Sequence, residues 1–246
     1  MFDSISRSET SEPTRPHRLR TVCVFGGAKG GSDPRLAEMA AALGHVIGAA
    51  GIRLVYGGGS DGLMGAVATA AARAGSDVVA VAPRFLMARM TMPAGIGQAI
   101  VVPDMHMRKR LMFDYADAFI ALPGGIGTIE ELAEVMTWRK LDQHDKPILI
   151  ANFHDFWSPW LALLAHLETG GFLSGHVSSA CLVAATPAEV LPLLHGGPSV
   201  VQDCSPRAGR AIAYEIYETW KRDHSPTFPF SRLREKVPDR ADEGVG

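Results

Sequence analysis

The sequence predicts an α/β protein, a Rossmann-like, doubly wound parallel sheet with helices on both of its faces. Short apolar runs alternate with longer Ala- and Leu-rich stretches from Leu19 to about Leu194, a pattern typical of βαβ units. The short runs are apolar throughout, which indicates strands that are covered on both sides. Right-handed crossovers between such units produce an open, doubly wound sheet.

Each element is predicted from its own run and its flanking residues. The first helix has the clearest limits, because Asp33 can act as its N-cap, Pro34 suits its first turn and Gly51 suits its end. The predicted strands are 21–25, 53–56, 77–82, 100–102, 118–122, 147–151 and 180–185. The predicted helices are 34–50, 63–74, 105–116, 128–141, 159–169 and 187–194, with a further helix at 208–221 where apolar residues recur at helical spacing.

The composition is that of a globular protein. The chain has 246 residues, 47% of them apolar and 20% charged, with a formal net charge of −2. It is too apolar for a disordered chain, has no run near the ~20 residues that span a bilayer, and lacks the basic excess of a nucleic-acid-binding protein. We expect a disordered leader at 1–18, one Rossmann-like nucleotide-binding catalytic domain at 19–195, and a C-terminal helix with a flexible tail at 196–246.

The cysteines and histidines give no sign of a metal site. Cys23, Cys181 and Cys204 are scattered, without CxxC or metal-ligand spacing, and no histidines form an HxxxH pair. We therefore expect no metal, and we expect a protein of the reducing cytoplasm.

The glycines are concentrated at three strand-to-helix junctions. In a parallel sheet these junctions all lie at the carboxyl edge, where ligands bind. Glycine allows close approach of the backbone, and the N–H groups of a helix start attract phosphate. The backbone requirements of an ordinary βα loop could account for one such turn, but they account less well for three. The clusters are Gly26, Gly27, Gly30 and Gly31; Gly57, Gly58, Gly59, Gly62 and Gly65; and Gly124, Gly125 and Gly127.

The glycine spacing argues against two common nucleotide sites. Gly57, Gly59 and Gly62 match GxGxxG, but after the second strand and without a clear ribose-binding acid about 20 residues on. No GxxxxGK[ST] is present, so a P-loop is disfavoured.

The third turn and the helix before it carry the candidate chemistry. Thr128 adds a hydroxyl donor, and we expect Glu130 and Glu131 in the first helical turn, where the helix dipole stabilises a carboxylate. The two acids point about 100° apart, so at most one faces the site, whereas Glu130 and Glu134 share a face. The basic run 108–110 would ordinarily be a solvated surface, but near a helix N-terminus it opposes the dipole. A bound anion would explain it.

At these residues the sequence resembles the Lonely Guy (LOG) family of cytokinin riboside 5′-monophosphate phosphoribohydrolases. The turn 123–131 fits the PGGxGTxxE signature, and 105–108 fits the family's preceding helix signature. Segments 54–60, 62–65, 137–138 and 144–147 also match. The resemblance runs from about Val22 to Leu194. It implies hydrolysis of the N-glycosidic bond of a nucleoside 5′-monophosphate, giving free base and ribose 5-phosphate, without a metal or organic cofactor.

The resemblance also implies residue roles. Arg108 and Glu131 match the catalytic pair, and the physics agrees, because a carboxylate can stabilise an oxocarbenium-like sugar and activate water. Family members form homodimers by helices that cover the sheet, with residues from both chains near the site, so Met112, Ala133 and Met136 are candidate interface residues. The expected substrate-binding residues are Gly27, Gly58, Gly59, Ser60, Met64, Lys109, Gly124, Gly125, Ile126, Gly127, Thr128, Glu130 and Thr137.

The sequence departs from the family's pattern at two places, and three other functions remain possible alternatives to the cytokinin phosphoribohydrolase. The run 26–29 reads Gly-Gly-Ala-Lys where the family often has CGSS, and 89–91 (Arg-Met-Thr) stands where a family Glu is often found. A pyridoxal-dependent lysine decarboxylase would need a Schiff-base lysine, for which Lys29 and Lys109 are nearest. A molybdenum-cofactor-carrier-like protein would bind a phosphorylated ligand without needing the Arg108–Glu131 pair. An AMP nucleosidase-type salvage enzyme would share the same chemistry.

Overall fold

The computed structural model describes residues 19–93, 95–173 and 181–196. Its described strands form one seven-stranded sheet in the order β4-β3-β2-β1-β5-β6-β7, and every neighbouring pair is parallel. The predicted doubly wound α/β fold is confirmed. The strands are β1 (Thr21–Phe25), β2 (Arg53–Tyr56), β3 (Val78–Pro83), β4 (Gln98–Val102), β5 (Ala118–Ala121), β6 (Ile148–Ala151) and β7 (Cys181–Ala184).

The helices agree with the predicted ones to within two residues at each end. They are α1 (Pro34–Ala49), α2 (Gly62–Arg73), α3 (Arg84–Met87), α4 (Met105–Tyr115), α5 (Ile126–Lys140), α6 (Ser158–Thr169) and α7 (Pro187–Leu194). The short α3 and a 3₁₀ turn at Phe153–Asp155 are not predicted, because a single turn is too short for its periodicity to be read. The leader, the helix at 208–221 and the tail lie outside the described residues.

Side chains alternate between two apolar layers, one on each face of the sheet. In β1, Val22 and Val24 contribute to a layer built with α1, α2 and α7, whereas Cys23 and Phe25 contribute to a layer built with α4, α5 and α6. All four side chains are at most 5% exposed. This explains why the strands read as continuous apolar runs. None of the described helices is long and apolar enough to cross a membrane.

The topology brings the three glycine clusters together. β2, β1 and β5 are adjacent in the centre of the sheet, and each is followed by one of the clusters. The N–H of Gly27 donates to the carbonyl of Pro123 at 3.0 Å, which links the first turn to the third. The carboxyl edge of these central strands is therefore lined by glycine backbone.

A candidate active site at the carboxyl edge of the sheet

A buried ion pair joins α4 to α5 at this edge. Nη2 of Arg108 lies 3.0 Å from Oε1 of Glu131, and the two side chains are only 9% and 8% exposed. Arg108 sits in the first turn of α4, whose start is fixed by the Asp104 carboxylate accepting from the N–H of Met107 at 2.8 Å. The two residues singled out by the sequence as the reactive pair thus meet in the structure.

The glycine turn after β2 makes room for Arg108. A side chain at Gly57 would collide with the guanidinium at Nη2, so only glycine leaves this space open. On its other side, Nη1 of Arg108 contacts Sδ of Met105 at 3.7 Å. The Nε of Arg108 is buried and has no hydrogen-bond partner among the described residues. Since a buried donor without a partner is costly, this N–H is suited to donate to a ligand oxygen or a water.

Burial raises the pKa of Glu131 to about 6, although Arg108 acts in the opposite direction. Among the other charges near Glu131, those of Glu130 and Glu134 raise its pKa and that of Lys109 lowers it. A carboxyl group that titrates this close to neutral pH can both hold and release a proton in the working range, as general acid–base chemistry requires.

Lys109 forms a second, more exposed link between the same helices. Its Nζ donates to the carboxylate of Glu130 and, at 3.0 Å, to Oε1 of Glu134. Burial lowers the pKa of Lys109, but the hydrogen bonds to the two carboxylates outweigh it and the pKa is raised overall. The predicted shared face of Glu130 and Glu134 and the divergence of Glu130 from Glu131 are both confirmed.

The position of these acids in α5 corrects one expectation. Because the helix begins at Ile126, its first turn contains no acidic residue, and Glu130 and Glu131 fall in the second turn. The helix dipole is felt mainly in the first turn, so it is not what holds these carboxylates. Their partners Arg108 and Lys109 do so instead.

Only one of the three glycine turns leads into an open helix start. The first turn of α1 is capped by the Asp33 carboxylate. At α2, the N–H groups of Leu63 and Met64 donate to the carbonyl of Gly27 at 3.0 and 3.3 Å. By contrast, α5 follows Gly125 with no side-chain cap. Of the three turns, the third therefore leaves the N–H groups of its helix start most available to a ligand.

The third turn is shaped to receive that ligand. Gly125, Ile126 and Gly127 are exposed at the helix start. Thr128 is 4% exposed and packs against Gly124, where any side chain would collide with its hydroxyl. Backbone N–H groups at such a start form a ready anion site.

The other predicted binding residues are placed unequally. Gly58 and Gly59 have positive φ and face the edge, and Ser60 beside them is half-buried. Met64 is 8% exposed and belongs to the apolar layer under α2. Thr137 is exposed, donates to the carbonyl of Ala133 at 2.7 Å, and lies eleven residues, about 16 Å, along α5 from its start. Within one chain the structure does not bring Thr137 to the site.

Two residues near the site were missed from the sequence. Met90 lies over Gly58 and Gly59, with Sδ 3.4 Å from where a side chain would begin at Gly58. The sequence marked this position only as a departure from the family. Tyr56, buried at the end of β2, donates from its hydroxyl to the carbonyl of Gly59 at 3.3 Å, and burial raises its pKa to about 12. Its place directly before a glycine turn was the available signal.

The described residues contain no group of three or more His, Cys, Asp or Glu side chains that could hold a metal ion. Fold and site together define a class: a doubly wound protein with an open helix start and a buried Arg–Glu pair at the carboxyl edge of its central strands. The comparisons with known proteins identify the family within that class.

The family described as "Possible lysine decarboxylase" matches residues 64–194. A cytokinin riboside 5′-monophosphate phosphoribohydrolase of Arabidopsis thaliana is 35% identical over 215 residues, 87% of this chain and 98% of that protein. Another from the same plant is 44% identical over 157 residues, 64% of this chain and 72% of that protein. The chain belongs to this family, the LOG family.

A solved structure agrees on the architecture. The molybdenum cofactor binding protein of Rippkaea orientalis is similar with a TM-score of 0.56, at 20% identity, over 73% of this chain and 98% of that one. A likeness at this identity shows the fold alone.

Proposed function

We propose that this protein is a phosphoribohydrolase that cleaves the N-glycosidic bond of a nucleoside 5′-monophosphate, releasing the free base and ribose 5-phosphate. The observation that carries the proposal is the buried Arg108–Glu131 pair beside the open start of α5, with a guanidinium N–H that has no partner among the described residues. The names of the plant relatives support the same reaction.

The substrate's phosphate is assigned to the third glycine turn. The backbone N–H groups at the start of α5, where Gly125, Ile126 and Gly127 are exposed, form the only uncapped start among the described helices that follow the glycine turns. A doubly charged phosphate is favoured there by free donors and by the helix dipole. Gly27, Gly58, Gly59, Ser60 and Met64 then belong to the walls of the site, and Lys109 and Glu130 to its outer rim.

Glu131 and Arg108 take the chemical roles. As the bond between the base nitrogen and C1′ of the ribose breaks, positive charge develops on the sugar, and the Glu131 carboxylate stabilises it. The same carboxylate accepts a proton from the water that attacks C1′, and the departing base gains a proton in turn. Arg108 holds the substrate and favours departure of the base through its free Nε–H.

We further propose that the working form is a homodimer in the cytoplasm. A partner's α5 laid beside this site would give exposed Thr137 a role that it cannot have within one chain. Met112 and Met136 are wrong as interface residues, since they are 1% and 6% exposed inside their own chain. Half-buried Ala133 and exposed Met107 are the better candidates. Light scattering at micromolar concentration should give twice the 26.3 kDa chain mass, and a monomer mass would count against the dimer.

The geometry does not favour a pyridoxal enzyme. A Schiff-base lysine must be available as a neutral amine. Lys109 instead has a raised pKa and is held by two carboxylates. A carrier of a phosphorylated ligand would need the open start of α5 but has no use for a buried carboxyl group poised near neutral pH.

A product assay tests the proposal. Purified protein is incubated with AMP, with isopentenyladenosine monophosphate and with the unphosphorylated ribosides, and free base is separated by chromatography. We expect base from the monophosphates and none from the ribosides, because the ribosides lack the group that α5 binds. The ratio of the two monophosphates separates a cytokinin-activating enzyme from an AMP salvage enzyme. Release of carbon dioxide from lysine without nucleotide hydrolysis would overturn the proposal.

A further inference from the structure

The loop from α5 to β6 ties α4 and α5 together on the C-terminal side of the reactive pair. His144 donates from Nε2 to the carbonyl of Val135 in α5 at 2.9 Å, while its Nδ1 accepts the N–H of Lys146 at 3.1 Å. Nζ of Lys146 donates to the carbonyl of Phe113 in α4 at 2.7 Å. We name Phe113, Val135, His144 and Lys146 the helix brace.

Phe113 is the centre of the brace. Nζ of Lys146 lies 4.1 Å from the centre of its ring, and the ring of His144 meets it edge-on at 5.2 Å. The rings of Trp138 in α5 and Phe119 in β5 pack against the same ring, with ring centres 5.0 Å and 5.6 Å from its centre. One side chain of α4 is thus fixed from α5, from the sheet and from the loop.

The brace lies close to the reactive pair. Phe113 follows Arg108 by five residues and Val135 follows Glu131 by four, so each attachment is about 6–8 Å along its helix from the pair. The charges of Glu131, Arg108 and Lys146 all act on the buried thiol of Cys23, whose pKa is raised mainly by burial. On the other side of the pair, Lys109 bridges to Glu130 and Glu134.

We propose that His144 and Lys146 are positioning residues, which set the separation of α4 and α5 and hence the contact of Arg108 with Glu131. His144 bonds to Val135 and Lys146 bonds to Phe113, so their effect on the pair passes through those two residues. The inference rests on the proposed hydrolase for its kinetic readout, but not for its structural one.

The substitutions are chosen to separate geometry from charge. Lys146→Met removes the bond to Phe113, whereas Lys146→Arg keeps a cation that can donate to the same carbonyl and stack on the ring. His144→Phe keeps an aromatic ring but loses both hydrogen bonds; burial lowers the pKa of His144, so the exchange leaves the charge unchanged at neutral pH. Lys140→Met, an exposed lysine at the end of α5, is the matched control.

Kinetics are measured with AMP or isopentenyladenosine monophosphate at a temperature where every variant is folded by circular dichroism. We expect kcat to fall about tenfold or more in Lys146→Met and His144→Phe, since a misplacement of about 1 Å can reduce a rate about 100-fold. We expect KM to change by less than about threefold, because the phosphate site is untouched. Lys146→Arg should recover most of the rate, and Lys140→Met should match the unsubstituted protein.

A second readout follows Glu131 itself. As Arg108 withdraws, the Glu131 carboxylate loses its main stabilising charge, so its pKa should rise above about 6 in both disruptive variants. Carbon-13 NMR titration of the glutamate carboxyl groups measures this without any turnover. If the unsubstituted protein hydrolysed no nucleotide, the proposed function would fail while this titration still decided the brace. Folded variants with unchanged kcat and unchanged Glu131 titration, or Lys146→Arg no better than Lys146→Met, would overturn the inference.

Discussion

Replacing Glu131 with glutamine tests the central assignment, because it changes the charge of one buried atom group and almost nothing of its shape. The carboxylate lies 3.0 Å from Arg108, with both side chains about nine-tenths buried. Losing general acid–base and charge stabilisation at such a position reduces rates by about 10²–10⁴-fold. We expect kcat to fall within that range while KM changes little.

The same substitution has a calculable effect on stability. Removing one partner of a buried ion pair costs about 3–5 kcal/mol. Glutamine keeps an oxygen that can accept from Nη2 of Arg108, so we expect a smaller loss of about 1–3 kcal/mol in the free energy of unfolding. For a domain of this size, at about 2–4 °C per kcal/mol, that corresponds to a decrease in Tm of about 2–12 °C.

The pH dependence of kcat is the most specific test of the role of Glu131. In the unsubstituted protein kcat should rise with pH through about 6, because the ionised form of Glu131 is the one that accepts the proton. Glu131→Gln should abolish this limb in its residual activity. Free base is quantified by chromatography across pH 4.5–8, with Glu38→Gln, an exposed acid on α1, as the control. A kcat for Glu131→Gln within twofold of the control would refute the assigned role.

Three further predictions rest on the same contacts. Gly57→Ala should lower kcat/KM by about 100-fold, because the added methyl group displaces Arg108. Gly30→Ala is the control for thermal melting and turnover, since its methyl group meets no described atom within 4 Å. Asp104→Ala should lower Tm by about 2–4 °C, since the loss of an N-cap costs about 1 kcal/mol; an unchanged melting curve would argue against the cap. In urea unfolding, the free energy of unfolding of His144→Phe should differ most from that of the unsubstituted protein above pH 6.5, and progressively less as pH falls. Burial lowers the folded-state pKa of His144, so folding favours its neutral form, and that contribution is lost on protonation.

The sequence predicts the architecture well because the architecture depends on local periodicity. The predicted strands 21–25 and 118–122 are short, largely apolar runs typical of strands covered on both sides, and right-handed crossovers then place helices on both faces of the sheet. The family resemblance predicts that Arg108 and Glu131 act as a pair, and the structure confirms that the two side chains meet.

What the sequence could not give are contacts between distant residues. The three glycine clusters read alike, yet the carbonyl of Gly27 takes the amides of α2 across more than thirty positions, while the start of α5 is left open. Likewise, Arg108 belongs to a basic run typical of a solvated surface, and it is buried because Gly57, fifty-one positions earlier, leaves space for it. Neither relation has a local signature.

The free-energy cost of burying the Arg108–Glu131 pair distinguishes a hydrolase from a binding protein of the same fold. A phosphate site needs only the exposed donors at the start of α5. Burying Arg108 and Glu131 together removes two charges from water, and such a pair seldom adds stability over apolar residues of similar size. The chain nevertheless holds the pair between α4 and α5, with Lys109 on one side and the helix brace on the other. An arrangement that is costly for stability and unnecessary for binding is expected where a carboxyl group must change protonation beside a reacting sugar.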